Sequence, residues 1–112
     1  MVYYTYMKKT ILTQAIKDLT QQLISAYKPE KIILFGWAAR GDTTSSSDID
    51  LLIIKEDVPH YGYKRMYEVR RLIKKNVPAD FLVYKPQEMQ ELTASKEPFI
   101  TSILEEGKVL YE

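Results

Sequence analysis

Hydrophobic residues along the chain fall either at helical spacing or in short unbroken runs. Helical spacing predicts a helix from Thr10 to Tyr27, another from Lys64 to Lys75, and two short helices between Gln87 and Glu106, divided by Pro98. Short apolar runs rich in β-branched residues predict strands at Lys31–Gly36, Asp48–Lys55 and Asp80–Tyr84. The order helix, strand, strand, helix, strand, helices predicts a small α/β or α+β domain with one sheet flanked by helices.

The connection between the first two predicted strands limits how they can pair. Residues 37–47 are small, polar and glycine-containing, which indicates a loop with one helical turn around Ala38–Arg40. A loop of eleven residues is too short for a full crossover helix. The two strands are therefore expected to be antiparallel, or to be joined by an unusually tight crossover.

The length of the chain, 112 residues, is close to that of one average domain. We therefore expect residues 1–112 to form a single minimal domain. Residues 1–9 precede the first predicted helix and are rich in tyrosine. This N-terminal segment is either mobile or covers the edge of the core or an interface with a partner.

Composition narrows the chemistry that the chain can perform. It has no cysteine and one histidine, which excludes thiolate zinc sites, a cysteine nucleophile and a histidine-rich metal site. Sixteen basic and fifteen acidic residues give a net charge of +1, so the chain as a whole is not a polyelectrolyte binder and nucleic acid is not the expected partner. No apolar run approaches the roughly 18 residues of a membrane span, and no signal peptide is recognisable, so a cytoplasmic location is expected.

Two aspartates at the start of the second predicted strand are the first candidates for chemistry. Asp48 and Asp50 are two residues apart, so on a strand both carboxylates point to the same face. Like charges at this separation repel unless a cation lies between them, and a hard ion such as Mg²⁺ prefers oxygen ligands. Asp80 can supply a third carboxylate if the third strand lies beside the second. Taken alone, an Asp-X-Asp sequence is more often a turn cap than a metal site.

The loop before these aspartates adds a second type of candidate. Gly36 ends a predicted strand, and the small residues after it leave backbone N–H groups open to phosphate oxygens. Arg40 is either a phosphate contact or a solvated loop charge. Ser47 is either a phosphate donor or polar loop filler.

Together these residues resemble the signature of the DNA polymerase beta-like nucleotidyltransferase superfamily. The likeness rests on Gly36, a gap of ten residues from Ala38 to Ser47, and the sequence Ser47-Asp48-Ile49-Asp50-Leu51. The segment Ile33–Gly36 followed by Ala39-Arg40-Gly41, the strand that Asp80 opens, and the ending Gly107–Glu112 are similar as well. Over nearly the whole chain, the sequence resembles the minimal nucleotidyltransferase (MNT) domains of this superfamily.

The resemblance implies a mixed sheet packed on helices, in the polymerase beta palm-like nucleotidyltransferase fold. It implies that Asp48, Asp50 and Asp80 are catalytic and hold two Mg²⁺ ions, and that the Gly36 loop binds the phosphates of a nucleoside triphosphate, expected to be ATP. The reaction would transfer a nucleoside monophosphate to a hydroxyl acceptor. Many minimal members are antitoxins of HEPN-domain toxins, which makes a HEPN-domain protein the expected partner. A homodimer and a hetero-oligomer both remain open.

Trp37 stands where the family signature has a serine. An indole offers one donor and far more volume than a hydroxyl, so it could block the phosphate site. If the ring points away from the phosphate site, the backbone N–H of Trp37 can still contact a phosphate oxygen. The alternative to an active enzyme is therefore an impaired member that neutralises its partner by binding alone.

Aromatic and basic residues alternate from Tyr61 to Arg71. This pattern is compatible with a nucleic-acid patch. A helical projection, however, places Met66, Val69, Leu72 and Ile73 on one face, which favours a solvated amphipathic helix.

Overall fold

The computed structural model describes the backbone of residues 2–41, 48–75 and 77–112, and their side chains from residue 10 onward. In these ranges the elements are, in chain order, α1 (Val2–Gln22), a π-helical turn (Leu23–Tyr27), β1 (Lys31–Phe35), α2 (Gly36–Arg40), β2 (Ile49–Ile54), α3 (Gly62–Leu72), β3 (Ala79–Tyr84), α4 (Pro86–Ala94), α5 (Pro98–Glu106) and β4 (Lys108–Tyr111). This confirms the predicted α/β class and the two short helices on either side of Pro98.

The strands form one mixed sheet in the order β3-β2-β1-β4. Strand β1 pairs antiparallel with β2, as the short loop predicts, and also antiparallel with β4. Strand β3 lies beside β2 and runs parallel to it. The inner strands β1 and β2 are therefore flanked on both sides, and β2 brings the end of β1 and the beginning of β3 together.

Helices cover both faces of the sheet, and the pleat divides the apolar residues between two cores. One core joins α1 and α3 to one face and includes Leu19, Leu23, Ile32, Leu34, Leu51, Val69 and Phe81. The other core joins α4 and α5 to the opposite face and includes Ile33, Leu52, Met89, Ile100 and Ile103. Because alternate strand residues point to opposite faces, Asp50 shares the α4–α5 face with Leu52.

The structure differs from the sequence expectations at the start of α1, at the end of α3 and in an additional strand. Helix α1 begins at Val2 rather than Thr10, so the backbone of 2–9 is helical. The segment β4 forms a fourth strand, which the hydrophobic pattern did not predict. Helix α3 ends at Leu72 rather than Lys75.

The early end of α3 has a visible cause at the last residue of α1. The side chain of Gln22 accepts a hydrogen bond from the Lys74 N–H at 2.8 Å and donates one to the Lys74 carbonyl at 2.7 Å. The backbone at Lys74 thus finds its partners outside the helix. Of the residues expected on the buried face, Val69 and Ile73 are buried, whereas Leu72 is 48% exposed.

Across the part of the chain that the structure describes, no helix combines the length and apolar character that crossing a bilayer would demand.

Candidate functional site

The candidate site lies where the amino ends of β2 and β3 meet the carboxyl end of β1. Asp50, in β2, is the direct neighbour of Asp80 in the parallel pairing with β3. On its other side Asp50 is opposite Phe35, the last residue of β1. The third predicted strand thus lies beside the second, which is the condition for Asp80 to join the site, and the pairing places both carboxylates on the same face of the sheet. Asp48 directly precedes β2 and is partly buried.

The carboxylates influence one another electrostatically. Partial burial raises the pKa of Asp50, and the negative charges of Asp80 and Asp48 raise this pKa further. Each of these effects penalises the charged form of Asp50. A cation placed among the three groups would relieve the repulsion, and hard carboxylate oxygens are the donors that Mg²⁺ prefers. In donor type and in unbalanced charge, the three residues fit a magnesium site.

The side chain of Asp80 has another partner in this structure. Arg70, on α3, places Nη2 3.6 Å from Asp80 Oδ1, and both side chains are about half exposed. Exposed ion pairs of this kind contribute little free energy. Among the described residues, no three or more His, Cys, Asp or Glu side chains converge as a ready set of metal ligands. Asp80 would therefore have to leave Arg70 in order to join Asp48 and Asp50 on an ion.

Gly36 is required at its position by two independent features. Its φ is +73°, in the left-handed region that a Cβ disfavours. A Cβ at this residue would also lie 2.5 Å from Asp50 Oδ2 and 3.4 Å from Asp50 Cγ. The backbone between β1 and α2 can therefore pass close to the Asp50 carboxylate only because residue 36 has no side chain.

Trp37 and Arg40 form the wall of a cleft beside Asp50. The side chain of Trp37 is 46% exposed, and the Arg40 guanidinium lies 4.8 Å from the centroid of its ring. Arg40 Nη1 also lies 3.3 Å from Glu106 Oε2 on α5. The cleft has a volume of about 220 Å³ and is lined by Phe35, Gly36, Trp37, Arg40, Asp50, Phe99, Ser102, Ile103 and Glu106. The structure thus brings Gly36, Trp37, Arg40 and Asp50 together, whereas Ser47 lies outside the described residues.

Comparison with known proteins identifies the family of the chain. The family model for the polymerase beta nucleotidyltransferase domain matches residues 14–112. The chain belongs to this nucleotidyltransferase family. A Methanocaldococcus jannaschii protein assigned as a protein adenylyltransferase is 39% identical over 102 residues, which cover 88% of this chain and 96% of the relative. The crystal structure of a protein from Sulfolobus solfataricus, assigned as a nucleotidyltransferase, superposes with a TM-score of 0.59 at 27% identity over 78% of each chain.

A buried arginine fixes the position of α3 in this nucleotidyltransferase. Arg65 is 3% exposed, and its side chain donates to backbone carbonyls of Pro59, His60 and Val83. It also donates to both carboxylate oxygens of Glu88, at 2.7 and 3.1 Å. These contacts use all five donors of a guanidinium. Arg65 therefore holds α3, the end of β3 and α4 in a fixed relation.

Three side chains with partners elsewhere in the chain were not singled out by sequence reasoning. In the sequence, Arg70 and Arg65 are part of the alternation of aromatic and basic residues from Tyr61 to Arg71, and Glu106 is the end of the last predicted helix. Their partners Asp80, Glu88 and Arg40 are distant along the chain, up to 66 positions for Arg40 and Glu106. No short motif in the sequence carries such a pairing.

Proposed function

We propose that this nucleotidyltransferase transfers AMP from ATP to a hydroxyl acceptor and releases pyrophosphate in a Mg²⁺-dependent reaction. The observation that carries the proposal is the register pairing of Asp50 with Asp80 beside Gly36. This pairing places two carboxylates side by side. At the same point the backbone of Gly36, which has no side chain, comes close to Asp50. The protein adenylyltransferase assignment of the M. jannaschii relative supports adenylyl transfer as the reaction.

Each candidate residue has a defined role in the proposed reaction. Asp48 and Asp50 would hold two Mg²⁺ ions and Asp80 would complete the set. When bound, the metal neutralises phosphate charge and lowers the pKa of an attacking hydroxyl. Gly36 lets the backbone approach Asp50 closely and would expose backbone N–H groups to phosphate oxygens.

The remaining groups act on the acceptor and on the leaving pyrophosphate. The acceptor oxygen forms a bond to the α-phosphorus while the bond from that phosphorus to pyrophosphate breaks. The Asp80 carboxylate, which is half exposed, receives the proton of the acceptor hydroxyl. Arg40 turns from Glu106 to the pyrophosphate oxygens, for which its planar fork of donors is suited.

A partner protein would supply the acceptor hydroxyl. The domain is small, and the name of the M. jannaschii relative specifies protein as the substrate class. The resemblance to minimal nucleotidyltransferases makes a HEPN-domain toxin the proposed partner, with this chain as its cytoplasmic antitoxin.

The second candidate function is neutralisation of the partner by binding alone. It is favoured by the positions of Trp37 and Arg40, because the indole lines the cleft and Arg40 is engaged by both Trp37 and Glu106. In this alternative the cleft does not admit the triphosphate, and the surface of the domain acts by contact.

Calorimetric titration with ATP and Mg²⁺ tests the enzyme proposal. Wild-type protein should bind, and Asp50→Asn should weaken the affinity at least about tenfold because a ligand carboxylate is lost. Asp57→Asn is a matched control, since Asp57 is an exposed carboxylate in the loop after β2. Absence of binding by the wild-type protein, or equal binding by both variants, would contradict catalysis.

Co-expression with a HEPN-domain toxin separates the two candidates. The enzyme proposal expects Asp50→Asn to lose neutralisation while the variant stays folded, as checked by circular dichroism. Full neutralisation by that variant would favour contact alone.

A further inference from the structure

The side of α3 that faces solvent carries a concentration of positive charge. Val69 is on the buried side of the helix, and Arg71, two residues later, lies about 200° from it, on the outward side. The exposed basic residues on α3 and directly after it form what we call the α3 basic surface: Lys64, Arg70, Arg71, Lys74 and Lys75. Because the whole chain has a net charge of only +1, this surface is balanced by acidic residues elsewhere in the molecule.

Glu68, the acidic residue within α3, lies away from the candidate site. It precedes Arg70 by two residues and is therefore about 200° from it around the helix. The pKa of the buried Tyr27 is raised by burial and further by the negative charge of Glu68, which places the Glu68 carboxylate on the side of the π-helical turn. Arg70, in contrast, reaches Asp80 near the start of β3. The side of α3 next to the candidate site is thus positive.

Aromatic rings hold two of these cations in place. Lys64 Nζ is 5.7 Å from the centroid of the Tyr61 ring, and the Arg71 guanidinium is 5.7 Å from that of Tyr67. The Tyr61 ring also stacks on that of Tyr63, with centroids 5.8 Å apart. A guanidinium that lies over a ring keeps its in-plane N–H groups directed away from the ring, where a carboxylate can accept from them. Side chains that are ordered before binding also lose less entropy on binding.

Two further cations lie at the boundary between this surface and the candidate site. Arg70 Nη2 is 3.6 Å from Asp80 Oδ1, and Lys75 Nζ donates to the carbonyl of Ala79 at 3.1 Å. In the proposed reaction Asp80 leaves Arg70 to join the other carboxylates of the site. A carboxylate of the acceptor molecule can then take the place of Asp80 on Arg70, so that one ion pair replaces another.

We propose that the α3 basic surface binds an acidic segment of the acceptor protein, next to the hydroxyl that receives AMP. The inference rests on the proposed function for the presence of a protein acceptor, and it adds the chemistry by which that acceptor is recognised. Helix α3 has eleven residues and is about 16 Å long, a distance that an extended segment of about five residues spans. Acidic side chains of such a segment would contact Lys64 at one end of the helix and Arg70 and Arg71 at the other, and the hydroxyl would follow at Asp80.

An NMR titration of the isotope-labelled full chain tests this inference. ATP and Mg²⁺ are left out, so that docking is measured apart from catalysis. The probe is a peptide of about five glutamates and one tyrosine, and the matched peptide has glutamine in place of glutamate. The glutamate peptide should shift the amide signals of α3 but not those of β4, and its affinity should fall as salt is added, because salt screens exposed charges. The glutamine peptide should shift neither set of signals.

Charge variants of the chain give the sign and size of the effect. Arg70→Ala and Arg71→Ala should each weaken the affinity for the glutamate peptide about two- to fivefold, the range of exposed ion pairs. Asp80→Asn should strengthen it by a similar factor, because the peptide no longer competes with Asp80 for Arg70. Lys108→Ala and Glu105→Gln are matched controls that remove one exposed charge from β4 and α5, which lie away from α3, and both should bind like the wild type.

Three results would overturn the inference. They are unshifted α3 amides with the glutamate peptide, equal affinity of the wild type and the two arginine variants, or tighter binding to α3 of a single-stranded RNA with the same number of charges. Calorimetry with ATP and Mg²⁺ is a separate measurement. A chain that binds ATP but not the peptide would keep the proposed function and lose this inference, whereas a chain that binds the peptide but not ATP would lose the proposed function and keep the docking surface.

Discussion

Replacing Gly36 with alanine probes the contact between the backbone and Asp50. Alanine at φ +73° carries a left-handed backbone cost of about 1 kcal/mol. The new Cβ would also lie 2.5 Å from Asp50 Oδ2, well inside the 3.0 Å that Cβ contacts respect, so the carboxylate would have to retreat by about 0.5 Å. Disturbing the support of a carboxylate that ligates a metal typically costs about 10- to 100-fold in metal affinity. We therefore expect Gly36→Ala to lose at least about tenfold in affinity for ATP with Mg²⁺.

Gly41→Ala separates the two effects. Gly41 has φ +78°, and a Cβ there would meet nothing within 4 Å. It should lose about the same 1 kcal/mol in the free energy of unfolding and keep its nucleotide affinity. Urea denaturation and calorimetric titration measure the two quantities for both variants. Equal nucleotide affinity of Gly36→Ala and Gly41→Ala would refute the argument that the close approach of Gly36 to Asp50 shapes the site.

Further predictions concern the ion pair of Arg65 with Glu88 and the buried hydroxyl of Tyr27. Arg65→Lys supplies three donors in place of five and should lower the free energy of unfolding by about 3 kcal/mol, whereas the exposed Arg71→Lys should change it little, as urea denaturation would show. The hydrogen bond from Arg65 lowers the pKa of Glu88, so the stability that this pair contributes is present above about pH 4.5 and is lost as the pH falls further. The free energy of unfolding of Glu88→Gln should therefore depend less on acid pH than that of the wild type. The same dependence on acid pH in both proteins would contradict this prediction. The buried Tyr27 hydroxyl has no hydrogen-bond partner, so Tyr27→Phe should unfold at pH 7 with equal or about 1 kcal/mol higher free energy. Because burial raises the pKa of Tyr27 to about 12, the free energy of unfolding of the wild type should fall between pH 10 and 12, whereas that of Tyr27→Phe should not. An equal fall in both proteins would contradict this prediction.

The sheet around the site was predictable because its signals are local. The short loop between β1 and β2 favours an antiparallel pair, and the apolar run that includes Asp80 predicts a third strand. That this strand lies beside β2 is known only from the structure. The spacing of Asp48 and Asp50 then fixes which face their carboxylates share. These features depend on a few neighbouring residues, which is the range over which a hydrophobic pattern carries information.

The fourth strand and the full length of α1 were not predictable in the same way. Strand β4 has four residues, and Val109 within it is 51% exposed, so an apolar run of this length does not distinguish a strand from a chain end. Its pairing with β1 depends on contacts made by the whole sheet.

The polar contacts of Arg65 were beyond sequence reasoning for another reason. Arg65 is buried because backbone carbonyls and Glu88 happen to surround it, and a carbonyl group is present at every residue regardless of its side chain. The pattern of hydrophobic and polar residues therefore could not show that Arg65 is buried while Arg70 and Arg71, on the same helix, are exposed.

Trp37 is the only tryptophan in the sequence. Its indole is half exposed, lines the cleft beside Asp50 and lies against the Arg40 guanidinium. Excitation of tryptophan alone would therefore report from the wall of the candidate site, without a label and without background from another indole. Movement of Arg40 off the ring would change the polarity around the indole and shift its emission, so the chain carries its own optical probe of the state of the cleft.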